Sequence, residues 1–175
     1  EQRLAHLGED RREWAFVHGM LRESLERLAR QHRRLDMHHR RCAAVLEEQR
    51  QKTGERGLAA RVGRHLLLAK EWEGALTPLI DAAREKQFVG ALSEAIELVR
   101  QWELAQHKLG RERNDVSWCE GWLVLSPVLA HLGRFKPALK VVDEAWRIAQ
   151  RHGGPTLRAE TLRDRARVLQ LMGHH

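Results

Sequence analysis

Residues Trp122–Ala149 read WLVLSPVLAHLGRFKPALKVVDEAWRIA, two apolar helical stripes on either side of a Leu-Gly-Arg-Phe turn. Leu125, Val128, Leu129 and Leu132 recur at helical spacing before Gly133, and Leu139, Val142, Trp146 and Ala149 recur at that spacing after it. Gly133 is expected to end the first helix, because glycine accepts the left-handed conformation that a helix C-terminus commonly requires. Ala138 and Ala145 place small side chains where two helix axes come close. The stretch is therefore expected to form an antiparallel helix hairpin.

Two short patterns extend this reading to the rest of the chain. Aromatic-x-x-Ala-Leu occurs as WEGAL (Trp72 to Leu76), FVGAL (Phe88 to Leu92) and FKPAL (Phe135 to Leu139). Val-Leu-x-x-(Leu/Met)-Gly occurs from Val128 to Gly133 and again from Val168 to Gly173. Taken as helix starts and helix ends, they imply a divergent array of helical hairpins whose spacing is looser than a fixed period.

The residues Trp122, Leu125, Gly133, Phe135, Ala138 and Ala145 resemble one tetratricopeptide (TPR) repeat. Ser126 stands where that family usually has Gly, and Gln150 where a closing Pro is common. Ala59, Val62, Gly63 and Leu66 fall at the family's first-helix offsets relative to Trp72. The resemblance implies an all-α, right-handed α-solenoid of antiparallel hairpins, about eight helices. It also implies a groove lined by the first helix of each repeat, at Arg64 and Leu67, then Glu120, Leu123 and Ala130, then Arg163 and Arg167. Arg163 and Arg167 are four apart and share a face. A guanidinium fork suits carboxylate or phosphate, so the expected partner is a protein or peptide segment of acidic character. The competing reading of the same arginines is a solvated helix face.

A second resemblance lies nearer the N-terminus. Phe16, His18, Leu21, Arg22, Glu23 and Leu25, followed by Arg33, Arg34, Leu35, His38, Arg40, Ala43, Ala44 and Leu46, are similar to a junction in large bacterial signal-transduction ATPases. There a winged-helix piece ends in a Phe-x-His strand and a helix before TPR-like repeats begin. The similarity implies a piece of a larger cytoplasmic signalling protein, kinase- or ATPase-linked. Residues 1–53 are then an N-terminal helical segment and 54–175 the repeats, with the boundary at Thr53-Gly54-Glu55-Arg56-Gly57.

Residues 14–18 are readable either as a short strand or as the first turn of a helix. Helices are expected over Arg33–Gln51, burying Leu35, Cys42, Val45 and Leu46, then over Leu58–Lys70, Glu73–Lys86 with Pro78 inside it, and Phe88–Leu109. Asn114 or Asp115 would cap the next helix, and Thr156 the last, Leu157–Met172. A partner helix would follow Gly173, but the chain stops at His174-His175, either inside the array or at the start of a tag.

The composition bounds function more than it defines it. The chain has 31 Lys+Arg against 24 Asp+Glu, net +7, and residues 1 to 65 hold 15 against 10 of these, net +5. This asymmetry leaves two alternatives open: a basic module in which Arg22, Arg27, Arg30, Arg33, Arg34, Arg40 and Arg41 contact nucleic-acid phosphates, and self-association through an open solenoid end. The apolar runs are far short of a membrane span. Cys42 and Cys119 lack CxxC spacing, which fits a reducing compartment. His38 and Cys42 share a helix face as a zinc pair would, yet no second pair follows, so no metal or other cofactor is expected. No GxxxxGK(S/T) loop occurs, and no nucleophile, base and orienting group can be named together, so catalysis is not expected of this chain. The tryptophans Trp14, Trp72, Trp102, Trp118, Trp122 and Trp146 sit at apolar helix positions and are expected to be core rather than a base-stacking surface.

Overall fold

The computed structural model describes residues 5–7, 14–16 and 19–173. Of the residues singled out above, His18, His174 and His175 lie outside this set, as do the side chains of Trp14, Phe16 and Arg22. A two-stranded antiparallel sheet, β1 (Ala5–Leu7) against β2 (Trp14–Phe16), pairs Ala5 with Phe16 and Leu7 with Trp14. Among the described residues eight helices follow: α1 (Gly19–Gln31), α2 (Leu35–Thr53), α3 (Leu58–Leu68), α4 (Trp72–Phe88), α5 (Leu92–Lys108), α6 (Trp118–His131), α7 (Phe135–His152) and α8 (Pro155–Leu171). Each helix from α2 onward packs on the one before and the one after it. The chain is an α-solenoid.

One turn geometry recurs and sets the hairpins. Lys70, Gly90 and Gly133 have φ of 60°, 78° and 71°. The residues after them, Glu71, Ala91 and Arg134, share φ near −80° and ψ of 68°, 61° and 59°. In each turn the N–H of that second residue reaches back to the carbonyl of Leu66, Lys86 or Leu129 at 2.9 Å, closing a Schellman-type helix end. Four residues further on, Ala75, Ala95 and Ala138 are fully buried. Glycine suits the left-handed position at 90 and 133, whereas Lys70 holds it with a Cβ, a strain of roughly 1 kcal/mol.

This pattern corrects the expected end of α4. Phe88 does not start a helix; it is the last residue of α4 and is 77% exposed. Leu92, two residues after Gly90, is the counterpart of Phe135, two residues after Gly133. FVGAL thus spans a turn, while WEGAL and FKPAL open helices.

The helix faces follow from burial. In α4, Leu76, Leu79, Ile80 and Ala83 are buried as their spacing predicts, and Pro78 is accommodated within the helix. In α2 the buried residues are Ala43 and Leu46, which pack on Leu58 and Val62 of α3. Cys42 is exposed and Val45 is 65% exposed, so the expected face is rotated by one position toward Ala43. In α8 the stripe is Thr161, Asp164 and Val168, leaving Leu162 and Ala166 exposed. Its first helical residue is Pro155, a position where proline's missing N–H is harmless, so Thr156 is not the cap. Before α6 the cap position is Ser117, not Asn114 or Asp115, and Asp115 Oδ1 accepts the Ser117 N–H at 2.7 Å.

The main core lies between α4, α5 and α6. Trp102 and Trp118 meet edge to face at 5.7 Å, and Trp118 and Trp122 lie 5.6 Å apart, all three essentially buried. Such aromatic pairs contribute about 0.5–1.5 kcal/mol each beyond the area they bury. Trp72 and Trp146 are half-buried. Ion pairs stitch the array: Arg50 Nη1 to Asp81 Oδ2 at 2.9 Å joins α2 to α4, and Arg165 Nε to Asp143 Oδ1 at 2.6 Å joins α8 to α7. No helix among the described residues is long and apolar enough to cross a membrane.

Candidate functional site

Contacts between alternate helices give the array its two faces. Helix α4 reaches α6, and α6 reaches α8, a closeness the odd-numbered helices do not match, so the array curves toward α4, α6 and α8. These three helices line its inner face. The inner layer is therefore the even set, which places α3 in the other layer. Arg64, exposed, and Leu67, packed against the main core, do not line the cavities described next.

A cavity of about 640 Å³ opens on the inner face between α4, α6 and α8. Glu120, Leu123, Arg163 and Arg167 all line it, so the structure brings together four of the seven residues picked from sequence. Ala130 lines an adjoining cavity of about 310 Å³, together with Arg167. Pro127, Asp164 and Arg167 belong to both walls and mark the junction between them.

Residues missed by the sequence reading complete the main cavity. Arg84 and Gln87 come from α4, Arg111 from the α5–α6 connection, and Glu160 and Asp164 from α8. Arg84 Nη2 lies 3.1 Å from Glu120 Oε1. Arg111 Nη2 holds both oxygens of Glu73 at 2.8 and 2.7 Å, while its Nη1 donates to Gln106 Oε1 at 2.9 Å. Gln106, 1% exposed, in turn donates to the Ser117 carbonyl at 3.2 Å. The polar floor is thus held in place by side chains whose own partners are fixed.

The cavity's electrostatics are mixed. Four arginines, Arg84, Arg111, Arg163 and Arg167, face three carboxylates, Glu120, Glu160 and Asp164. Arg163 and Arg167 are exposed on α8, whereas Asp164 between them is 8% exposed. Burial pushes the Asp164 carboxyl above its ordinary range, and the neighbouring Arg163 and Arg167 only partly offset it. Cys119, also on the cavity wall, is 1% exposed; burial pushes its thiol up to about 11, and Asp115 adds to the shift. A thiol held neutral in this way is a packing group rather than a nucleophile. Ser117 Oγ, Trp102 Nε1 and Trp118 Nε1 are buried without a hydrogen-bond partner.

Beyond the groove, His39 of α2 and His65 of α3 approach with their Nδ1 atoms 2.9 Å apart. Burial lowers the pKa of His65, with His39, Arg61 and Arg64 adding to the effect. In the connection between α5 and α6, the Arg113 guanidinium lies 5.4 Å from the ring centres of both Trp118 and Trp122.

No protein-family profile matches the chain, and no curated protein matches it. Among solved structures, the chain is similar to a crystal structure of TPR-like repeats assigned to a kinesin light chain of Podosopora anserina. The two share 19% identity over 91% of this chain and 90% of that one, with a TM-score of 0.48.

Proposed function

We propose that this chain is a non-catalytic docking module that holds a segment of a partner protein in the groove between α4, α6 and α8. The observation that carries this reading is the convergence of Glu120, Leu123, Arg163 and Arg167 on one cavity of about 640 Å³. The same four residues are groove positions that the repeat resemblance implies. A solenoid suits the task because each helix contacts only its neighbours, which leaves a continuous inner surface for an extended segment.

The wider setting is part of the same proposal: residues 1–53 form an N-terminal segment and 54–175 the docking array of a larger cytoplasmic bacterial signalling protein, linked to a kinase or ATPase. The similarity of Phe16 to Leu46 to a winged-helix junction supports it, as does the β1–β2 hairpin before α1. Occupancy of the groove would then bias the neighbouring domain.

A pull-down with this chain as bait, with and without nuclease, tests the reading alongside an Arg163→Glu, Arg167→Glu variant. One protein captured despite nuclease and lost in the variant fits docking. The exposed Arg27, Arg30, Arg33, Arg34 and Arg41 on and between α1 and α2 favour nucleic acid as the second reading. That reading predicts capture abolished by nuclease in both forms, with binding that weakens steeply as salt rises.

A further inference from the structure

We propose that the cavity between the α5–α6 connection and the C-terminal half of α7 is a second binding site, for a small molecule that carries a phosphate group. It stands apart from the docking groove and does not depend on that reading.

The cavity measures about 350 Å³ and shares no lining residue with the two cavities of the inner face. Glu144, Arg147 and Arg151 recur every three or four residues along α7, so they lie on one face of it. Arg113 and Asn114 line the same cavity from the connection, and His152 lines it from the last residue of α7. Three guanidiniums thus converge from two segments on a cavity with one carboxylate in its wall.

These arginines are not held by the protein's own acids. Arg50, Arg84, Arg111 and Arg165 each pair with a carboxylate. Among the described residues, Arg113, Arg147 and Arg151 make no ion pair or side-chain hydrogen bond, and neither does Glu144. Arg113 lies instead against the rings of Trp118 and Trp122, a contact that orients a guanidinium and leaves its N–H donors unused. Asp115, the other carboxylate whose charge His152 meets, already accepts the Ser117 N–H.

Helix-end electrostatics account for only part of the cluster. Arg151 and His152 stand in the last turn of α7, where positive charge offsets the helix dipole. Arg147 precedes that turn and Arg113 is outside any helix, so neither is placed by this effect.

The chemistry of the lining selects the ligand. One guanidinium fork satisfies a carboxylate, whereas a phosphate group offers three oxygens and up to two charges for several guanidiniums at once. Trp118 and Trp122 are 0% and 1% exposed, so the site presents no aromatic face on which a nucleic-acid base could stack. Recognition therefore rests on the anionic group itself.

The test is calorimetric titration of the whole chain with inorganic pyrophosphate at low ionic strength, with acetate as the carboxylate control. Saturable binding of pyrophosphate and none of acetate is expected. Arg147→Gln, Arg151→Gln is expected to weaken pyrophosphate binding by about tenfold or more, through the loss of charge-assisted hydrogen bonds. Glu144→Gln, which removes the opposing carboxylate, is expected to tighten it, a gain that damage to the fold could not produce. Arg163→Gln, Arg167→Gln in the groove is expected to leave it unchanged. No binding of pyrophosphate, equal binding by the Arg147→Gln, Arg151→Gln variant, or no gain in Glu144→Gln overturns the site. So does a loss confined to the groove variant, which places the anion on α8. A single-stranded oligonucleotide that binds through Arg147 and Arg151 where pyrophosphate does not overturns the assignment to a small molecule. None of these results bears on docking, which the pull-down tests separately.

Discussion

Arg84, near the end of α4, places its Nη2 3.1 Å from Glu120 Oε1 in the first turn of α6, bridging two helices that a third, α5, separates in sequence. The bridge crosses the inner face and forms part of the cavity wall. Both side chains are about half exposed, so the pair itself adds little stability. Its consequence is geometric: it fixes which side chains a segment in the groove would meet, and it leaves Arg163 and Arg167 as the cations without a strong partner.

Close packing of α5 on α6 depends on the absence of a side chain at Gly121. A Cβ there would come within 2.5 Å of the Trp102 ring, which also packs edge to face with Trp118 of α6. Gly121→Ala is expected to destabilise the protein by about 1–3 kcal/mol, the range for overpacking a filled core. Gly63→Ala meets Cδ2 and Cγ of the buried Leu79 at 2.8 and 2.9 Å and is expected to be milder, because an aliphatic side chain yields more readily than a rigid indole at 2.5 Å. Urea melts of the two variants check the order.

Asp164 makes stability depend on pH in the unusual direction for a carboxylate. Its folded pKa is raised by burial, so the fold favours the protonated form and loses stability as pH rises above the unfolded value of roughly 4. Asp164→Asn removes that loss. The variant is expected to melt higher than wild type at neutral pH, with the difference shrinking as pH falls toward 4. A variant that melts lower at neutral pH would contradict the argument.

The His39–His65 contact predicts the opposite slope at the other end. The pKa of His65 is lowered chiefly by burial, so its contribution is present above the unfolded value of about 6.5 and is lost as pH falls below it. Arg61 and Arg64 oppose a second positive charge at this point. Amide exchange in α2 and α3 is expected to quicken between pH 7 and pH 5 relative to α6 and α7, once corrected for intrinsic rates. His65→Gln should flatten that difference.

Two thiols in contrasting settings offer a quick check on the fold. Cys42 is exposed and Cys119 is buried, with its thiol pushed up to about 11. Ellman's reagent should modify one thiol rapidly in the native protein and the second only on denaturation. Rapid modification of both would contradict the packing of α6 against α7.

The α6–α7 hairpin was legible in the sequence because both stripes and the Gly133 turn agree, and there the structure follows the pattern. The phase of the array was not. Phe88 resembles the aromatic that opens Trp72 and Phe135, yet the turn lies at Gly90, and the comparable spacing is Gly90, Leu92 and Ala95 against Gly133, Phe135 and Ala138. That slip hides the alternation of layers: the pattern points to Arg64 and Leu67 on α3, whereas α4 lines the cavity with Arg84 and Gln87. Asp164 was not legible as a cavity residue because a carboxylate between two arginines reads as surface. Its place in the stripe Leu157, Thr161, Asp164 and Val168 was the available signal.

The most direct test of docking is photo-crosslinking from inside the groove. A photoreactive residue at position 87 on α4 faces the cavity, whereas one at exposed position 150 on α7 does not line it. In nuclease-treated bacterial lysate, position 87 is expected to give one discrete protein adduct that disappears with Arg163→Glu, Arg167→Glu, and position 150 to give none. Equal labelling from both positions, or an adduct from 87 indifferent to the arginine changes, would contradict a groove that binds through α4, α6 and α8.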